Sequence, residues 1–233
     1  MQLFYCPQII SGENFLSEDE SMHCIGVLRH KKGDSIHLVD GAGGYYKTEI
    51  IDDNKRKCEL RILERKSEYG KRNYQLHIAI APTKSIDRFE FFLEKATEIG
   101  IDEITPLICG HSERKELKTE RMKKVLVSAM KQSGKAYLPV INEAIKLNEF
   151  ISAKSIGQKF ICSCEAEKDA SLKKFYHKGE DTLILIGPEG DFSKEEITFA
   201  EANGFKAITL GKSRLRTETA GVVACSVINF INQ

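Results

Sequence analysis

No apolar run in this sequence is long enough to cross a bilayer. The longest uncharged stretch that matters, Thr219 to Gln233, is too short and carries Ser and Asn. The N-terminus lacks a charged region leading into an apolar segment, so no secretory leader is expected and a cytoplasmic location follows. Seven cysteines are scattered without a repeated pair spacing, which argues against a disulfide frame. Their one close pair, Cys162 and Cys164, has no Cys/His pair after it. It reads as two core thiols on one face of a strand, and no metal site is expected. A Gly-x-Gly-x-x-Gly turn is missing where a dinucleotide-binding sheet needs it: after the apolar run Leu76–Ala81 the chain reads Pro82-Thr-Lys-Ser85. Ser133 and Ser193 have no matching His/Asp arrangement, so acyl transfer is not expected.

Large net charge is also missing. The chain carries 35 Lys and Arg against 34 Asp and Glu, a formal charge of +1, so any affinity for nucleic acid must come from uneven distribution. The distribution is uneven. His111–Lys135 holds eight Lys/Arg against three Glu, whereas residues 1–70 hold ten basic against twelve acidic. His30-Lys31-Lys32 and Lys55-Arg56-Lys57 are basic clusters inside that first stretch, and a solvated surface accounts for such charge as readily as a nucleic-acid contact.

What is present is an alternation of strand and helix patterns. Ser17 and Glu20 have capping-box spacing and open a short helix through Met22, Ile25 and Leu28; strand patterns follow at Asp34–Asp40, Tyr45–Asp52 and Cys58–Arg65. This predicts a small β-barrel module over residues 1–70. Gly41-Ala-Gly-Gly44 leads into a strand, whereas a phosphate loop must open a helix, so it reads as a hairpin turn. The charged stretch Lys66–Asn73 reads as a linker. Beyond it, strands are predicted at Leu76–Ala81, Ile104–Ile108, Leu138–Ile141, Lys159–Cys164, Thr182–Ile186 and Lys206–Leu210. Helices are predicted from Ile86 to Ile99, at Glu120–Ser133, at Ala170–Tyr176, after a second capping box at Ser193 and Glu196, and from Thr217 onward. The alternation implies an α/β domain over residues 74–233: a mostly parallel sheet with helices on both faces.

Two turns stand out in that domain. Gly187-Pro-Glu-Gly190 ends one predicted strand, Gly211 ends another, and in open α/β sheets ligands sit beyond the carboxyl ends of strands. Glycine lets backbone groups approach a flat ring, so Gly187, Gly190 and Gly211, walled by Ile186, Leu210 and Leu215, suit an adenine slot.

The same residues carry a resemblance. Gly187-Pro-Glu-Gly-x-Phe-Ser193, followed by Leu210-Gly-x-x-x-Leu-Arg-Thr-Glu-Thr-Ala220, resembles the SPOUT-class RNA methyltransferases. The likeness is greatest to the family that makes 3-methyluridine in 16S ribosomal RNA. His23–Arg29, Asp40–Gly44, Glu94–Gly100 and Gln132–Gly134 fall in that family's order, and Asp191 stands where the family usually has glycine. The resemblance implies a trefoil-knotted sheet preceded by a PUA-like barrel, and S-adenosylmethionine as methyl donor. It extends the cofactor pocket to Cys164, Glu189, Thr217, Thr219 and Ala220, and it implies 16S rRNA of the small subunit as partner.

The bond-forming step places a demand on the site. Ionising uridine N3 near neutral pH costs on the order of 3–4 kcal/mol, so a cation or base must offset it. Arg216 is the candidate for stabilising charge on a uracil carbonyl. Glu218 is read three ways: as proton acceptor, as the group that orients Arg216, or as a carboxylate favourably placed at a helix N-terminus. RNA phosphates would fall to Arg29, Lys31 and Lys32 on the small module, and to Arg114, Lys115 and Lys118 on the other. His23 and His30 read as structural or merely exposed. The apolar surface of the last helix, Ala220 to Phe230, must be covered, and the resemblance implies that a twin copy covers it. Two other readings remain open on the residues alone: a nucleotide-dependent α/β metabolic enzyme, and a non-catalytic RNA-binding protein of ribosome assembly.

Overall fold

The computed structural model describes residues 2–153, 157–167 and 169–233. The chain divides into two units, Met1–Lys71 with Val127–Leu138, and Arg72–Leu126 with Pro139–Gln233. The stretch Val127–Leu138, which lies within the α/β domain expected from the sequence, thus belongs to the first unit.

In the first unit strands β1 (Leu3–Tyr5), β2 (Ser35–Val39), β3 (Tyr45–Asp52) and β4 (Glu59–Lys66) form a sheet in that order. The first of them is invisible in the sequence pattern, because three residues are too few to show alternation. Leu16 N–H donates to Cys58 O at 2.9 Å and Leu60 N–H to Asn14 O at 2.8 Å, so chain that began beside β2 returns on the outer edge of β4 and curls the sheet. The face formed by Phe4, Ile36, Leu38, Tyr46, Ile50 and Leu60 closes over Leu16, Cys24 and Cys58. On the other face Leu3, Val39 and Tyr45 are covered by Met130 and Ala136, which is why Val127–Leu138 belongs to this unit.

The capping box at Ser17 is only half formed. Ser17 Oγ accepts from Glu20 N–H at 3.4 Å, but the Glu20 carboxylate is drawn to Lys131 at 2.5 Å. Helix α1 (Glu18–Ser21) therefore lasts one turn and widens into a π-helical segment, Met22–Val27. The glycine turn is a hairpin, as expected: Asp40 Oδ1 accepts from Ala42 N–H at 2.7 Å and Gly44 N–H at 2.9 Å, and β2 and β3 pair antiparallel.

The second unit is a parallel sheet whose main path runs β11 (Lys206–Ile208), β9 (Gln158–Cys162), β10 (Thr182–Ile186), β5 (Leu76–Ile80), β6 (Glu103–Ile108), β7 (Val140–Ile141), with β8 (Ile145–Lys146) beside β6. Strands β5 and β10 are buried at every position, which accounts for their unbroken apolar runs. Ala79, Leu183 and Leu185 pack towards α4 (Leu147–Ala153) and α6 (Lys194–Ala202). The other face carries α2 (Ile86–Ile99) and α7 (Thr217–Asn232), which pack on each other. Helix α3 (Thr119–Gln132), whose residues from Val127 onward belong to the first unit, and the one-turn α5 (Leu172–Phe175) complete the set, and α4 is a helix the sequence pattern does not announce. The Ser193–Glu196 box at the start of α6 is complete in both directions, at 3.2 and 2.8 Å. No helix is long and apolar enough to cross a membrane among the described residues.

Candidate active site

Beyond the carboxyl ends of β9, β10 and β11 lies a cleft of about 710 Å³, inside the roughly 300–1,000 Å³ range of small-ligand sites. Ile186, Gly187 and Glu189 line it from the β10 turn, Leu210, Gly211, Leu215 and Arg216 from the loop after β11, Thr217 and Ala220 from the first turn of α7, and Cys164 from the turn after β9. Lining residues that sequence reasoning did not assign to the pocket include Thr209, Lys212 and Arg214, and Asp191, singled out in the sequence, lines it as well.

Three expected site residues lie elsewhere. Gly190 does not line the cleft: a Cβ there would sit 3.1 Å from His111 Cβ, so its glycine serves contact between loops. Thr219 is half-buried away from the cleft. Glu218 also points elsewhere. It is buried, its Oε1 lies 4.0 Å from Arg88 Nε, and its Oε2 has no hydrogen-bond partner among the described residues. That placement favours a carboxylate at the N-terminus of α7 over a group that touches substrate.

Arg216 is the N-cap residue of α7, exposed on the cleft, and its side chain makes no cap bond. The turn after β10 is tied to the start of α7 by Thr217, whose Oγ1 donates to Gly187 O at 3.0 Å in a buried setting. Thr217→Val should leave that carbonyl unpaired, at a cost of about 1–3 kcal/mol, and should weaken cofactor binding with it. Calorimetric titration and thermal melting check both effects; unchanged affinity would show that the tie does not shape the cleft.

Gly211 has φ +136°, a conformation that L side chains rarely adopt. Thr209 holds it there, accepting from its N–H at 3.2 Å and donating to its C=O at 2.8 Å. The neighbouring Leu210 N–H and C=O make no hydrogen bond among the described residues. They are the groups left to meet a ligand ring edge.

Asp191 has φ +63°, a left-handed conformation that glycine takes freely and aspartate tolerates. Its carboxylate accepts from Cys164 N–H at 3.0 Å and from its own neighbour Phe192 N–H at 2.8 Å, fixing the two turns relative to each other. Burial, and then the Asp191 charge, push the Cys164 thiol above its ordinary value. The Cys162 thiol is raised by the same two causes in the same order. Neither is the core thiol expected: Cys164 is exposed, Cys162 half-buried, and both line the cleft. No group of three or more His, Cys, Asp or Glu is placed to hold a metal among the described residues.

The basic candidates separate. Arg114 spends its guanidinium on the chain itself, donating to Thr83 O at 3.1 Å and Lys84 O at 2.7 Å, and so braces the loop after β5. Lys115 and Lys118 are exposed. In the first unit Arg29, at φ +62°, and Lys31 and Lys32 are exposed, the two lysine amides being held by Asp34 and Asp53.

A model described as an RNA methyltransferase domain matches residues 70–229, and one described as an RNA methyltransferase PUA domain matches residues 16–63. The chain belongs to the RNA methyltransferase domain family. Ribosomal RNA small subunit methyltransferase E of Rickettsia conorii is 29% identical over 220 residues, covering 93% of this chain and 89% of that relative. The protein of the same name from Mesomycoplasma hyopneumoniae is 34% identical over 184 residues, 76% and 78% of the two chains. Among solved structures, a probable rRNA methyltransferase from Porphyromonas gingivalis is 40% identical with a TM-score of 0.93, covering 100% of this chain and 98% of that one. A ribosomal RNA small subunit methyltransferase E from Neisseria gonorrhoeae, bound to S-adenosyl methionine, is 27% identical with a TM-score of 0.86 at the same coverage. The SPOUT fold and PUA-like domain expected from the terminal motifs are those of this family.

Proposed function

We propose that this protein transfers the methyl group of S-adenosylmethionine to N3 of a uridine in 16S rRNA of the small ribosomal subunit, acting in the cytoplasm as a homodimer. The observation that carries this reading is a cleft built from two glycine turns and lined by the exposed Arg214 and Arg216, in a chain that matches the family over both domains. The donor supplies an electrophilic methyl on a sulfonium. The cleft residues fit the rest of it: Leu210 has free backbone groups for an adenine edge, Ile186 and Leu215 are apolar walls, and Thr217 fixes the floor. Arg216, exposed on the cleft, is assigned to favour the ionised base as the N3 proton passes to water. RNA must be single-stranded or splayed for its base edge to enter. Mass spectrometry of nucleosides from 16S rRNA of cells lacking the protein is expected to show one missing 3-methyluridine, restored by the purified protein with S-adenosylmethionine. Unchanged 3-methyluridine would overturn the assignment.

The dimer rests on α7. Its Gly221, Ala224, Cys225 and Ile228 face the chain's own core, while Val223, Val227 and Phe230, at helical spacing, do not. Phe230 is 74% exposed. Phe230→Glu should convert the protein from dimer to monomer in light scattering at micromolar concentration. A wild-type monomer would refute the interface.

A further inference from the structure

The glycine hairpin of the first unit supports a feature that the methyl-transfer site does not use. Tyr69, just after β4, stacks on Tyr45 with ring centroids 4.7 Å apart and planes 30° from parallel. Tyr45 is buried in β3, its ring is 5.6 Å from that of His37, and its Oη lies 3.1 Å from His37 Nδ1. Tyr45 thus lies between His37, beside it on the same sheet, and Tyr69, which is 40% exposed. Its backbone is fixed as well: Tyr69 N–H donates to Gly43 O at 2.9 Å. Gly43 in turn donates to Ala136 O at 2.9 Å, and any side chain at Gly43 would run into the Tyr137 ring. The turn thus anchors Tyr69 at the backbone.

Lys66 is the register partner of Tyr45 and so shares its face of the sheet, exposed and in no ion pair among the described residues. Lys71, on the other side of Tyr69 in sequence, is paired with Glu68. A partly exposed planar ring stacked on a buried one, with an exposed lysine on the same sheet face, matches an unpaired nucleobase and its phosphate better than it matches an aliphatic protein surface. Base–aromatic stacking is sequence-tolerant and contributes about 1–3 kcal/mol per base, and a ring already held in place loses little freedom on binding.

We infer that Tyr69, backed by Tyr45 and His37, is a stacking platform for one unpaired base of the RNA substrate, with Lys66 contacting the adjacent phosphate. This rests on the rRNA-methyltransferase reading for the identity of the RNA, but the platform is tested without turnover. The full-length protein is titrated into a single-stranded RNA oligomer carrying one 2-aminopurine, whose fluorescence falls when it stacks; the chain has no tryptophan to obscure the signal. Wild type and Tyr69→Phe should both quench. Tyr69→Leu keeps an apolar cover over Tyr45 but offers no π face, and should lose the quench and bind roughly 5- to 150-fold more weakly, with S-adenosylmethionine affinity and melting temperature unchanged. Equal binding and quenching by Tyr69→Leu, or no quenching by wild type, would overturn the platform. If wild type quenches but 16S rRNA from cells lacking the protein keeps all its 3-methyluridine, the methyl-transfer reading fails and the platform stands.

Discussion

Replacing Arg216 by alanine is expected to lower the single-turnover rate of methyl transfer roughly a hundredfold or more, while S-adenosylmethionine binds as before. Arg216 occupies the N-cap position but its side chain makes no cap bond, so its removal does not cost α7 a hydrogen bond. It is exposed where it lines the cleft, and its side chain makes no hydrogen bond or ion pair among the described residues. What alanine removes is therefore chiefly an interaction that strengthens as the base becomes anionic, and such an interaction appears in rate rather than ground-state affinity. Arg216→Lys keeps the charge but not the planar fork and should fall between the two. Near-normal turnover by Arg216→Ala at saturating RNA, or loss of cofactor binding before loss of rate, would remove Arg216 from the chemistry.

Gly211→Val should abolish detectable S-adenosylmethionine binding. A Cβ at this position meets nothing within 4 Å, so valine does not clash with protein, and at a residue that lines the cleft its branches are expected to take up ligand space. The backbone adds a second effect: at φ +136° any side chain is strained, by about 1–3 kcal/mol. Gly211→Ala carries the same strain with less volume and separates the two contributions. Calorimetry should show weakened binding for alanine and none for valine, and circular dichroism should show both folded, because the loop is exposed. Full-strength binding by a folded valine variant would exclude Gly211 from the pocket.

The cleft was legible in the sequence because its position follows from local rules. Two apolar strands stop at glycine turns, and parallel topology sets those turns at the same end of the sheet, at the ends of β10 and β11 on either side of β9. What the sequence hid were the directions of side chains. Gly190 sits in the same tetrapeptide as Gly187, yet it faces His111, a neighbour 79 positions away in sequence. Glu218 follows Arg216 by two residues, which on a helix turns it about 200° away from the cleft side. Arg114 reads as a free cation until the carbonyls of Thr83 and Lys84 are seen to take its donors. Asp191, in a left-handed backbone conformation, supplies a carboxylate that holds the β9 and β10 turns together, which its place in the sequence does not show. The short elements, β1 and the one-turn α5, are missed or overextended because three or four residues cannot display a period.

The covering of Leu3, Val39 and Tyr45 by Met130 and Ala136 bears on how the protein is made. The N-terminal module is not contiguous: its second part begins at Val127, 56 positions after Lys71. At a synthesis rate of about 5–20 residues per second the emerging module waits roughly 3–11 s for that part. During this interval one face of its sheet has no cover, and a nascent-chain chaperone has a binding site that later disappears. The same reasoning bears on dissection. A fragment ending near residue 70 would display that apolar face permanently, so expressing the module alone requires grafting Val127–Leu138 back onto it.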